Sequence, residues 1–187
     1  MRALERRIDG TSSMSPSMEK NVRVFENLSE LAACAGQDIA ISDWVTITQQ
    51  HIQQFADATG DQQWIHTDLQ RASHGPFGTP IAHGFLTLSL LPQFFERALQ
   101  IQDVRMGVNY GLNKVRFITP VAVNSHLRGH LHLLSAEPIE QGGFQSVWTV
   151  TVEIQGHSKP ACVGEFVMRQ YPEYVNFGSS NSHVDPR

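Results

Sequence analysis

The chain has 187 residues, 41% of them hydrophobic, enough to bury a sizeable core in one domain but few for two. Its formal charge of −4 is mild and its Lys and Arg are dispersed, which argues against a nucleic-acid or anionic-membrane binder. The only cysteines, Cys34 and Cys162, have no chelating or redox spacing, and no run approaches the roughly 18 apolar residues of a membrane span, so a soluble, cytoplasmic protein is expected.

The basic residues Arg2, Arg6 and Arg7 precede a Ser-rich stretch without an apolar core, so no secretory signal is expected. Residues 1–20 read as a flexible arm, 21–170 as the folded domain and 171–187 as a Ser, Asn and Pro bearing tail. Val24, Leu28, Leu31 and Ala32 recur at helical spacing, predicting a helix over 22–34 that ends at Gly36. Trp44 to Thr48 alternates as a strand. Thr48 then caps a helix bearing Ile52, Phe55 and Ala56, which stops at Gly60. Residues 61–67 read as a loop, with Asp68 capping a further turn through Ala72.

After the breakers of 73–80, His83 to Leu91 is almost wholly apolar, which predicts a helix enclosed by other elements; Pro92 kinks it or opens a second helix carrying Phe94, Phe95 and Leu99. The texture then turns β-rich over 115–118, 121–134, 146–154 and 161–168, with Trp148, Val150, Val152 and Ile154 on one strand face and a hairpin turn at Gly142-Gly143. The plan is α+β: an antiparallel sheet around one hydrophobic helix.

The chemistry concentrates in FADATGDQQWIHTD, residues 55–68, which sets the carboxylate of Asp61 and the imidazole of His66 across a loop at a helix end. On its own such a pair is ordinary turn chemistry. Its context is Ile81-Ala82-His83-Gly84, a glycine at the mouth of the apolar helix, where a backbone N–H unobstructed by a Cβ can donate to an oxygen that gains negative charge. Adding water to a double bond needs one group to take a proton and another to deliver one, which an acid and a histidine gripping the same water can do.

FADATGDQQWIH, GPFGTPIAHGFLTLSLL and NYGLNKVRFITPV together resemble the MaoC-like dehydratases, which include the (R)-specific enoyl-CoA hydratases, and most closely their nodulation-protein-N-like branch; the likeness spans residues 42–169. That resemblance implies a single hotdog fold, a homodimer, and syn addition or removal of water at the 2,3 bond of an acyl-CoA thioester. It makes Asp61 and His66 the catalytic pair and Gly84 the carbonyl-polarising amide, with Ser89 beside them. No cofactor is required beyond the coenzyme A of the substrate, and no metal.

Other residues stand between function and structure. Trp64 walls the pocket or packs. His83 supports the helix mouth through a backbone hydrogen bond or meets the substrate. Asn109 and Tyr110 lie in the segment that the resemblance brings near the site, although turn chemistry accounts for them as well. Arg116 is expected in a buried or interfacial ion pair. His130 and His132 share a strand face but lack a third ligand at fixed spacing. The rival readings are an acyl thioesterase, an acyl-carrier-protein dehydratase and a non-catalytic acyl-binding subunit.

Overall fold

A computed structural model describes residues 22–172, so the expected N-terminal arm and nearly all of the tail lie outside the described residues. The chain opens with strand β1 (Arg23–Phe25) and a short helix α1 (Leu28–Ala32). The single helix expected over 22–34 is therefore corrected. Asn27 is extended, with φ −154°, and its side chain accepts the Glu30 N–H at 2.9 Å, so the helix cannot propagate back past it.

Gly36, at φ 81°, turns the chain into strand β2 (Gln37–Ile41), which the sequence reading did not anticipate; β3 (Val45–Thr46) is the remnant of the strand expected over 44–48. Helix α2 (Gln49–Thr59) begins as expected at Thr48, whose hydroxyl accepts the His51 N–H while its own N–H donates to His51 Nδ1. It stops at Gly60, where φ is 79°, a left-handed cap that glycine adopts without penalty. The stretch expected as a loop contains one helical turn, α3 (Trp64–Thr67). The Asp68 carboxylate then caps α4 (Leu69–Ser73) by accepting the Arg71 N–H at 2.9 Å.

The central helix comes in two pieces, α5 (Gly84–Ser89) and α6 (Leu91–Ala98). Pro92 explains the break: without an N–H it is tolerated only in a first helical turn. Leu86, Leu91, Phe94, Phe95 and Ala98 are buried, but Phe85 is 68% exposed, so the helix is not enclosed on every side as its all-round apolar sequence implied. A short strand β4 (Leu99–Ile101) pairs in parallel with β1.

The main sheet is formed by β5 (Met106–Phe117), β6 (His126–Pro138), β7 (Phe144–Ile154) and β8 (Cys162–Tyr171), with β2 at the far side. Its order is β2-β6-β7-β8-β5, antiparallel throughout, with β3 also pairing to β6. The inner face of β7 presents Trp148, Val150, Val152 and Ile154, all buried against Leu127, Leu131, Leu133 and the helix. Helix and sheet come close at Gly129, where a Cβ would come within 2.9 Å of Phe94. The result is an antiparallel sheet curled around a helix, the hotdog arrangement. No helix among the described residues is long and apolar enough to cross a membrane.

Candidate functional site

The turn at Gly60 sets Asp61 between α2 and α3, and one helical turn later His66 faces inward. Asp57, exposed on α2, steadies this turn, accepting from both Gln53 and Gln62 at 2.9 and 2.8 Å. Gln49, not singled out from the sequence, donates to the His66 carbonyl at 2.8 Å and ties α2 to α3.

His66 is buried, at 6% exposure, and its Nδ1 lies 2.6 Å from the Ile81 carbonyl oxygen. A carbonyl can only accept, so Nδ1 carries the proton and the neutral ring keeps its lone pair at Nε2. Ile81 N–H donates in return to the Ile65 carbonyl, and Ala82 N–H to Val121, which pins the segment leading into α5 between α3 and the β5–β6 connection. Burial pushes the His66 pKa below the ordinary value; the Ile81 bond and the Asp61 charge oppose this, and His83 adds to it.

Gly84 opens α5, so its N–H has no partner one helical turn back within the helix. The Phe117 ring covers it so closely that a Cβ on Gly84 would meet Phe117 at 2.9 Å. His66, Gly84, Thr87, Phe117, Val121 and Ala161 are among the residues lining one cavity of about 300 Å³. Asp61, exposed, stands next to it: a carboxylate oxygen and one ring nitrogen each of His66 and His83 lie within 4.8 Å of one another. A larger groove of about 680 Å³, lined by Trp44, His51, Phe55, Leu90 and Arg97, contains none of Asp61, His66 and Gly84; chemistry rather than size marks the smaller cavity.

Asp61, His66 and His83 are also the one group among the described residues with three potential metal ligands in reach of each other. The His66 and His83 rings are stacked, with centroids 3.8 Å apart and planes at 26°, so their lone pairs lie in two nearly parallel planes, whereas chelation needs them to converge on one ion. The arrangement suits proton transfer better. On the outer sheet face, His130 is taken up by Glu153 at 2.6 Å and His132 by Asp38 at 2.8 Å, two separate pairs.

Four residues expected near the substrate are not brought to this cavity. Trp64 packs under the Arg71 guanidinium and against Gly75. Ser89 donates to the Phe85 carbonyl at 2.7 Å, the helix back-bond that a serine makes without any site. Asn109 and Tyr110 sit within β5, with Tyr110 under Arg169, and not in a turn ahead of the sheet. Along the strand, Tyr110 lies up to about 23 Å from Phe117, at roughly 3.3 Å per residue. The end of the quoted segment that does reach the cavity is Phe117 to Val121, together with Thr87 on α5, and neither was selected from sequence. Arg116 is exposed and donates to the Val115 carbonyl, which corrects the buried one of the two ion-pair roles expected for it.

Comparison with known proteins bears on the family and the fold. The MaoC-like domain model matches residues 30–155. The 3-hydroxyacyl-thioester dehydratase Z of Mycobacterium tuberculosis is 51% identical over 148 residues, covering 79% of this chain and 98% of that protein. Nodulation protein N of Rhizobium meliloti is 41% identical over 143 residues, covering 75% and 89%. Among solved structures, the R-hydratase PhaJ1 of Pseudomonas aeruginosa superposes with a TM-score of 0.61 at 24% identity, covering 80% of this chain and 88% of that one, a likeness of fold.

Proposed function

Because the chain belongs to the MaoC-like family, we propose that it is a 3-hydroxyacyl-thioester dehydratase, equally an (R)-specific enoyl-CoA hydratase, adding or removing water at the 2,3 bond of an acyl thioester. The observation that carries the reading is the approach of the Asp61 carboxylate to within 4.8 Å of the His66 ring, beside a cavity that His66 shares with Gly84.

In the hydration direction, a water is held between the Asp61 carboxylate and His66 Nε2, the nitrogen left with a lone pair by the Ile81 bond. The pair takes a proton from that water as its oxygen bonds to C3, and returns a proton to C2 on the same face. The negative charge that develops on the thioester oxygen is met by the Gly84 N–H, an interaction worth about 3 kcal/mol where such donors have been removed. Dehydration runs the same path backward. Every step is acid–base chemistry by this chain's own groups, so coenzyme A enters as part of the substrate and no separate cofactor is assigned.

The reading differs from thioester hydrolysis in where the proton taken from water goes: to C2 in hydration, to the leaving thiolate in hydrolysis. Incubation with crotonyl-CoA tests it: loss of enoyl absorbance without free thiol, and an (R)-3-hydroxy product on chiral analysis, is the expected result. Thiol release would make the protein a thioesterase, and silence across short, medium and branched enoyl thioesters would make it a binding subunit.

A homodimer is part of the same proposal. Strand β5 is a twelve-residue sheet edge, and Tyr110, Leu112, Phe117 and Ile118 on or just after it are 43–56% exposed, with Phe85 at 68% close by. An open edge flanked by apolar side chains is a surface for a second copy. Cytoplasmic fatty-acid metabolism is the setting that suits an acyl-thioester enzyme whose two cysteines are unpaired.

A further inference from the structure

His83 is 3% exposed, and nothing in the reaction described above uses it. Its position is unusual. It is the residue immediately before α5, yet its ring makes no capping bond to that helix. Instead the ring reaches back: Nε2 lies 2.9 Å from the backbone carbonyl of Asp61, and since that oxygen can only accept, Nε2 carries the proton. One face of the ring stacks on His66 at 3.8 Å, and Phe55 of α2 tilts against it at 5.0 Å. Nδ1 is buried and takes part in no hydrogen bond.

One side chain thus contacts the three parts of the site that different elements supply: the loop holding Asp61, the turn holding His66, and the helix mouth holding Gly84. Asp61 itself is otherwise lightly held. Beyond the His83 bond, its N–H meets Thr59 Oγ1 and its carboxylate meets the Gln63 N–H, both at 3.4 Å, the long end of the hydrogen-bond range. The geometry points to His83 as a positioning residue of the dehydratase: it anchors the Asp61 loop and clamps the His66 ring, so that acid, base and helix mouth keep a fixed spacing. This rests on the proposed acid–base role of Asp61 and His66.

A buried ring that merely filled space would be replaceable by another ring. A donor that only tied the loop would be replaceable by an amide, with no effect on how His66 titrates. The two roles separate because the ionisable groups acting on His66 are His83, which lowers its pKa, and Asp61, which raises it; Phe55 on α2 is not ionisable. Removing the ionisable ring while keeping a donor should let His66 protonate at higher pH.

Two variants test this. His83→Phe keeps a ring and loses the donor; His83→Gln keeps an N–H that reaches the Asp61 carbonyl and loses the ionisable ring. The measurements are kcat and KM on crotonyl-CoA, thermal melting, and the His66 titration followed by its ring C–H resonance, assigned by its absence in His66→Gln. The expected result is a fall in kcat of at least tenfold in His83→Phe at nearly unchanged KM, kcat within about threefold of wild type in His83→Gln, and a His66 titration moved to higher pH in His83→Gln. Wild-type kcat in both folded variants would overturn the inference, as would an unmoved His66 titration in His83→Gln. If His83→Phe does not fold, the amide variant decides alone. The titration needs no turnover, so an inactive wild type would remove the proposed reaction while the clamp on His66 could still be read.

Discussion

His66 Nδ1 donates to the Ile81 carbonyl at 2.6 Å, and this bond leaves Nε2 as the ring nitrogen with a free lone pair. Burial holds the His66 pKa below its ordinary value near 6.5, so the ring is neutral at physiological pH. The acid limb of kcat/KM on crotonyl-CoA is therefore expected below pH 6.5. The sign carries over to stability. A histidine harder to protonate when folded stabilises the fold above about pH 6.5, and that contribution is lost as the pH falls through its folded pKa. Melting of wild type and His66→Gln between pH 7.5 and 5 checks it: the wild type should lose more on acidification than the variant.

Gly84→Ala should damage both stability and turnover. The new Cβ would lie 2.9 Å from the Phe117 ring, a contact that forces the ring or the helix start to move. Overpacking of this kind costs about 1–3 kcal/mol. A lowered melting temperature and at least a tenfold loss in kcat/KM are expected, and Phe117→Leu in the same chain should recover the melting temperature by making room.

Ser146 separates stability from catalysis. It is fully buried, accepts the Trp148 indole N–H at 2.9 Å and donates to Gln170 at 3.2 Å, while contributing nothing to the lining of the cavity. Ser146→Ala leaves the indole N–H without an acceptor, at a cost of about 1–3 kcal/mol. A fall in melting temperature on the order of 5 °C, with KM on crotonyl-CoA unchanged, is expected.

The sheet edge can be tested by mass. Sedimentation should give twice the 20.9 kDa of the chain, and Leu112→Lys, which places a charge on the exposed edge of β5, should shift the protein toward monomer. A monomeric wild type at micromolar concentration would remove the dimer from the proposal.

Much of the fold was legible in the sequence, and the reasons differ by element. The caps at Thr48, Gly60 and Asp68 were readable because each is a local hydrogen bond or a local backbone requirement. Strand β7 was readable because one strictly alternating face is buried. Strand β5 was not, except for its end: it is an edge strand with two register shifts, between Asn109 and Gly111 and between Leu112 and Val115, and each bulge breaks the period of two. That error misplaced Asn109 and Tyr110. Asp61, His66 and Gly84 could be picked out because their residue types and order carry chemistry. Thr87, Phe117 and Ala161 could not, since which apolar or small residues close over a cavity is set by tertiary packing. Gln49 was hidden for a similar reason, because its partner is a backbone carbonyl on another helix.

The most direct test compares crotonyl-CoA turnover by wild type, Asp61→Asn and His66→Gln under identical conditions. Asp61 is exposed and its carboxylate makes a single long contact, so Asp61→Asn should fold and melt as the wild type does. Loss of either acid–base group should lower kcat by about 100-fold or more. Wild-type rates in folded Asp61→Asn and His66→Gln would contradict the assignment of the reaction to this pair.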